Sequence, residues 1–188
     1  LIEGLPMQVK TLTDFLKEEY YALQPLYNFY FTRDTSVTIG NTSLVCKMAN
    51  AVRMRESFIM DAIFNSGLFF NGKITNMYDA SQNNPSVKIE GGDVLVARED
   101  VLLIGSGART SPQAIDLLIQ ELCREKLSKR HVIVQQLPET PESFIHLDMA
   151  FTFLDKNTAM VYKPLILNSN PYKTVHIQIE NGKVVKIA

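Results

Sequence analysis

The sequence predicts an α/β fold assembled from repeated β-hairpin–helix–strand units. Three observations point there. Short apolar stretches bounded by turn residues alternate with helical stripes, and the order hairpin, helix, strand occurs at least twice. Asp34, Glu90 and His146 are separated by 56 residues and then by 56 again. The same step of 56 carries Val45 to Val101, Met48 to Ile104 and Arg53 to Arg109, and the hairpin turns fall in nearly the same place in three units. The units run approximately over residues 28–83, 84–139 and 140–188. Placed around an axis, they bring three ionisable side chains together at its centre.

The elements follow in order. Residues 12–22 read as a helix, with Thr13 or Thr11 as N-cap and charges at Asp14, Lys17, Glu18 and Glu19. Residues 27–31 are aromatic and strand-like. Residues 37–39 and 44–48 form a hairpin around Gly40-Asn41, a usual turn pair. Residues 56–64 read as a helix with the apolar stripe Phe58, Ile59, Ala62 and Ile63, stopped by Gly67. Residues 71–86 are polar and contain Asn83-Asn84-Pro85, which reads as a loop. A second hairpin joins 94–96 to 101–104 around Arg98-Glu99-Asp100. Thr110-Ser111-Pro112 then opens a helix, with a cap hydroxyl and an early proline, whose stripe is Ile115, Leu118, Ile119 and Leu122. Residues 131–134 are a short buried-type strand. A third hairpin joins 149–154 to 159–162 around Asp155-Lys156-Asn157. A fourth spans 175–187 around Asn181-Gly182, the strongest hairpin signal in the chain.

Composition narrows the class. The 188 residues are 46% apolar and 21% charged, enough for one domain with a real core. A net charge of −1 marks neither a nucleic-acid nor a membrane surface, and no apolar run approaches a membrane span. Cys46 and Cys123 form neither a disulfide framework nor a metal spacing, which favours a reducing compartment and hence the cytoplasm.

Four short motifs carry chemistry: Phe31-Thr32-Arg33-Asp34, Glu90-Gly91-Gly92-Asp93, Gly107-Ala108-Arg109-Thr110-Ser111 and His146-Leu147-Asp148. Each has a plain reading. Asp34 suits a turn or cap, Glu90-Gly91-Gly92 suits a strand entry, and Arg53 beside Arg55 suits a solvated helix start. His146-Leu147-Asp148 suits a surface pair, or a metal site lacking further ligands at a metal-like spacing. In a strand, His146 and Asp148 would point to one side. As an ordered set the motifs favour function.

Together they resemble the motifs of arginine deiminases, members of the guanidine-modifying superfamily. The resemblance covers roughly residues 28–162. It implies a pentein fold, an α/β-propeller of five ββαβ-type blades of which about three are present here. It also implies roles. Asp34 and Asp148 would hold a guanidinium. Glu90 and His146 would be the acid/base pair. Arg53 and Arg109 would hold the substrate's α-carboxylate, and Asn28 would line the pocket.

The chemistry asks for such a set. A guanidinium is a planar cation with five donors that a carboxylate takes bidentately. Its delocalised carbon needs a strong nucleophile, for which a thiolate suits. Ammonia leaves once protonated, and a water must then be activated, both tasks for an imidazole. The substrate implied is L-arginine, with no metal or organic cofactor.

One departure matters. The family's nucleophilic cysteine lies near its C-terminal end. Cys46 and Cys123 read as small buried hydrophobes, and neither matches that position. The chain starts at Leu1 and stops at Ala188, so it is expected to be an internal piece of a longer enzyme, inactive alone. Exposed blade faces and a strand near 174–179 with unpaired backbone groups are expected to make it self-associate. Rival readings are a dimethylargininase, an agmatine deiminase, an amidinotransferase, or a non-catalytic binding pentein. Arg53 and Arg109 favour a substrate bearing a carboxylate, and the converging acids and histidine favour an enzyme.

Overall fold

The computed structural model describes residues 2–17, 19–82, 84–125 and 129–188. At the N-terminus, strands β1 (Leu5–Pro6) and β2 (Tyr21–Leu23) pair around the one-turn helix α1 (Leu12–Phe15). The helix expected over 12–22 is therefore much shorter. Thr11 and Asp14 cap it reciprocally, but Leu12, Phe15 and Leu16 are exposed. A short helix without a packed face is marginal, and pairing at Tyr21 takes the chain over. Of the residues expected in that helix, Glu18 lies outside the described residues, as do Leu1 and the Asn83 of the loop.

Residues 27–31 form a turn rather than a strand and lead into the single helical turn α2 (Thr32–Thr35). The curl presents the Asn28 and Phe31 carbonyls to the Arg53 guanidinium, each at 3.3 Å. Two ββαβ units follow. In the first, β3 (Ser36–Ile39) and β4 (Thr42–Val45) form an antiparallel hairpin, with Gly40 at φ +59°. Helix α3 (Met54–Asn65) then returns the chain to β5 (Lys73–Asn76), which lies parallel to β4. A one-turn helix α4 (Met77–Ala80), capped by Asn76, follows. The loop expected over 71–86 thus hides the third strand of the unit. Its only apolar residue is Ile74, so alternation could not reveal it.

The second unit repeats the path with β6 (Val94–Arg98), β7 (Val101–Ser106), α5 (Pro112–Arg124) and β8 (Lys129–Gln136). Ser111 caps α5, and the whole expected stripe is buried. The strand register differs from the 56-residue step. Val45 pairs with the first residue of β3, whereas Ile104 pairs with the first residue of β6, because the second hairpin is longer and has an irregularity between Val96 and Arg98.

The third hairpin, β9 (Phe151–Phe153) with β10 (Ala159–Val161), is a separate two-stranded sheet followed by the one-turn helix α6 (Lys163–Ile166). The fourth, β11 (Thr174–Glu180) with β12 (Lys183–Ile187), turns through Asn181 at φ +49° and Gly182 at φ +76°. It joins the second unit's sheet, giving the order β12-β11-β8-β7-β6. The strand expected to offer free backbone groups is β11, and it is paired on both sides; the edge is β12.

The main core places α5 between the two sheets. Ile115, Leu118, Ile119 and Leu122 pack with Leu102, Ile104, Val132, Leu44 and Met77. A second cluster, Leu95, Leu137, Leu147, Ala150 and Leu165, sits on the opposite face of the larger sheet and seats the segment that carries His146. Among the described residues no helix is long and apolar enough to cross a membrane.

Candidate active site

Glu90 and His146 sit in equivalent places. Each immediately precedes a 3-10 turn, Gly91–Asp93 and Leu147–Met149, and both are extended. Asp34 lies inside the helical turn α2. Because 147–149 is a turn, strand alternation does not govern His146 and Asp148. All three spaced residues are buried, and their donor atoms lie within 4.8 Å of one another. His146 Nε2 is 2.8 Å from Glu90 Oε2, and His146 Nδ1 is 3.8 Å from Asp34 Oδ1. Gly92 makes the cluster possible: a Cβ there would sit 2.9 Å from the imidazole and 3.1 Å from Asp34 Oδ1.

Five arginines and acids extend the cluster. Arg53 closes the 3-10 turn before α3 and is buried. Its Nη1 donates to Asp34 Oδ2 at 2.6 Å and lies 4.0 Å from Glu90. Its Nε donates to Glu56 Oε2 at 2.9 Å. Arg109 approaches Glu90 Oε1 at 3.7 Å from the loop before α5. Asp148 is partly open and faces Arg33 Nε at 3.4 Å. Asn28 is exposed and offers its carbonyl to Arg53. Both carboxylates assigned to a guanidinium thus already face one, Asp34 that of Arg53 and Asp148 that of Arg33.

The family model described as arginine deiminase matches residues 6–187. The chain belongs to the arginine deiminase family. It is 31% identical over 185 residues to the arginine deiminase of Streptococcus agalactiae serotype Ia, covering 95% of this chain and 44% of that protein. It is 32% identical over 176 residues to that of Streptococcus uberis, covering 93% of this chain and 41% of that protein. The chain therefore spans less than half the length of these relatives. Among solved structures, the N-terminal domain of ArgZ bound to substrate, an arginine dihydrolase from the ornithine-ammonia cycle in cyanobacteria, superposes with a TM-score of 0.59 at 21% identity, over 76% of this chain and 47% of that one. DDAH from Pseudomonas aeruginosa complexed with citrulline gives 0.58 at 20% identity, over 72% and 47%. The fold is a mixed α/β architecture of this pentein type.

In this member of the arginine deiminase family the site's electrostatics follow from burial and pairing. Burial would discharge His146, but the Glu90 hydrogen bond and the charges of Asp93, Asp34 and Glu90 outweigh it and hold the imidazole above its ordinary value. Burial works against the Glu90 carboxylate too. The His146 bond, the Ala49 N–H at 2.9 Å and the charges of His146 and Arg109 overcome it and draw the group below the usual range. Asp148 is raised by burial, partly offset by His146 and Arg33. Cys46 is fully buried, and burial together with Glu90, Asp34 and Asp93 pushes its thiol far up, the opposite of an activated nucleophile.

Asp34, Glu90 and His146 could by distance hold a metal ion. Arg53 Nη1 is already hydrogen-bonded to Asp34 and close to Glu90, so a guanidinium already occupies part of this donor set. The donor set suits a guanidinium. Two buried acids escaped the sequence reading. Glu56 could have been found from the Arg53–Glu56 spacing of three at a helix start. Asp93 was in view only as the end of a motif.

Proposed function

We propose that these residues are part of an arginine deiminase that hydrolyses L-arginine to L-citrulline and ammonia. The observation that carries this reading is the convergence of Asp34, Glu90 and His146, with Arg53 and Arg109 beside them. Asp34 and Asp148 take the two edges of the substrate guanidinium. A cysteine thiolate from outside these residues attacks the guanidinium carbon. His146 gives its proton to the departing nitrogen, and ammonia leaves an S-alkylthiouronium on the cysteine. The neutral imidazole then takes a proton from water and the hydroxide adds to the same carbon; the carbon–sulfur bond breaks, the thiolate departs, and the remaining hydroxyl proton passes to solvent as citrulline is released. Glu90 orients His146 and stabilises its charged form. Arg53 leaves Asp34 as the substrate enters and turns to the α-carboxylate, joined by Arg109, while Asn28 lines the mouth. No metal or organic cofactor takes part.

The site rests on an incomplete ring of ββαβ units, of which a five-bladed propeller would hold five. The protein acts in the cytoplasm, and these residues alone are inactive and associate through uncovered blade faces.

A citrulline assay on the 188-residue chain and on the full-length protein, with arginine and with agmatine, tests this. Citrulline from the full-length protein, none from the chain and poor use of agmatine are expected. A full-length protein that turns over neither substrate, or a chain that is active alone, overturns the reading.

A further inference from the structure

Asp93 is 0% exposed and closes the turn that begins after Glu90. Its Oδ1 accepts the Leu147 N–H at 2.8 Å, and Leu147 directly follows His146. Its Oδ2 is shielded from solvent and makes no well-formed hydrogen bond among the described residues, although the Thr110 hydroxyl lies near. Gly105 of β7 leaves the carboxyl its space: a Cβ there would come within 2.2 Å of Oδ1. The titratable groups around Asp93 are Glu90 just before its turn, His146 before the turn that leads to β9, and Cys46 after β4. Among the described residues no lysine or arginine forms an ion pair with it.

We propose that Asp93 is the positioning residue for His146, fixing the Leu147 backbone next to the imidazole and setting a further carboxylate, beside those of Asp34, Glu90 and Asp148, within electrostatic reach of the ring. As a contribution to catalysis this rests on the reading of His146 as acid and base. As a statement about the setting of His146 it stands alone.

A neutral amide would also accept the Leu147 N–H, through a weaker bond but without the cost of burying a charge. The charge of the carboxylate also reaches the imidazole. Burial, opposed by the Thr110 hydroxyl, His146 and the Leu147 N–H, pushes the Asp93 carboxyl up to about 7. It changes charge near neutral pH, where a catalytic imidazole exchanges its proton. Ionised Asp93 favours imidazolium, and protonated Asp93 releases it. The two groups share a titration whose steps belong to the pair.

The test is an NMR titration of His146 in the 188-residue chain. The chain has three histidines, so His131→Gln and His176→Gln variants complete the assignment. Asp93→Asn keeps the acceptor and removes the charge. The Leu147 amide should stay protected, while the His146 titration moves to lower pH by about one unit, a tenfold change in its proton equilibrium. An unchanged His146 titration in a folded Asp93→Asn chain overturns the inference and leaves Asp93 a purely structural acceptor. Should that variant not fold, the wild-type chain decides. The His146 ring shift must show a second inflection at the pH where the Asp93 carboxyl carbon titrates, and a single-step curve overturns the inference. Arginine turnover reports separately on the proposed function. A shifted His146 in a protein without turnover supports this inference while sinking that reading, and the reverse result does the opposite.

Discussion

Replacing Arg53 by Met removes the cation at the centre of the cluster while keeping much of its length. Arg53 is 6% exposed and lies 2.6 Å from Asp34 and 2.8 Å from Glu56, which is itself 2% exposed. Breaking a buried pair from one side costs about 3–5 kcal/mol, because the remaining charge is stranded. Against a domain stability of about 5–15 kcal/mol, that is a large share. Arg53→Met is therefore expected to lose about 3–5 kcal/mol in urea denaturation at neutral pH. Adding Glu56→Leu removes the deeper stranded charge and leaves Asp34 with His146 at 3.8 Å. The double variant should be more stable than Arg53→Met, with a coupling of about 0.5–3 kcal/mol from the double-mutant cycle. A loss below about 1 kcal/mol in Arg53→Met would mean an ion pair behaving as solvated, and would refute the reasoning.

Three further outcomes are expected. Gly92→Ala puts a methyl 2.9 Å from the His146 ring, so arginine turnover by the full-length protein should fall much more than its melting temperature; activity and stability assays on that protein check this. The Glu90–His146 pair stabilises the fold in a pH window. The Glu90 contribution is present above its unfolded value of 4.5 and lost as pH falls through its lowered folded value. That of His146 is fully present below 6.5 and lost as pH rises through its raised folded value. Glu90→Gln should flatten both flanks of stability against pH. Finally, light scattering across a concentration series should show the 188-residue chain self-associating. Leu154, Met160, Val185 and Ile187 are exposed, whereas Lys183 and Lys186 on β12 discourage strand addition at that edge. A strictly monomeric chain would contradict the blade-face proposal.

The parts of the fold that were legible in the sequence are those whose pattern is local. The Ser111-Pro112 start of α5, its stripe and the Asn181-Gly182 turn carry their own signals, and each stands where it was read. Tertiary partners decided the rest. Residues 27–31 look like a strand, but Arg53 needs their carbonyls. The α3 stripe of Phe58, Ile59, Ala62 and Ile63 looks like core, yet the helix buries Glu56, which pairs with Arg53, and Ser57 instead. The convergence of Asp34, Glu90 and His146 was readable from spacing, though only the latter two occupy like positions. Nothing in the sequence indicated that Arg53 would rest on Asp34. An arginine can serve a substrate carboxylate or a buried acid, and residue type does not choose between them.

The most direct test of the central claim is citrulline release from arginine by the full-length protein carrying His146→Ala, with folding verified by circular dichroism. Loss of the group that gives and takes the proton should lower turnover by about a hundredfold or more, the lower end of a general acid's contribution. Turnover equal to that of the unaltered protein would contradict the account, because the convergence of Asp34, Glu90 and His146 would then be structural.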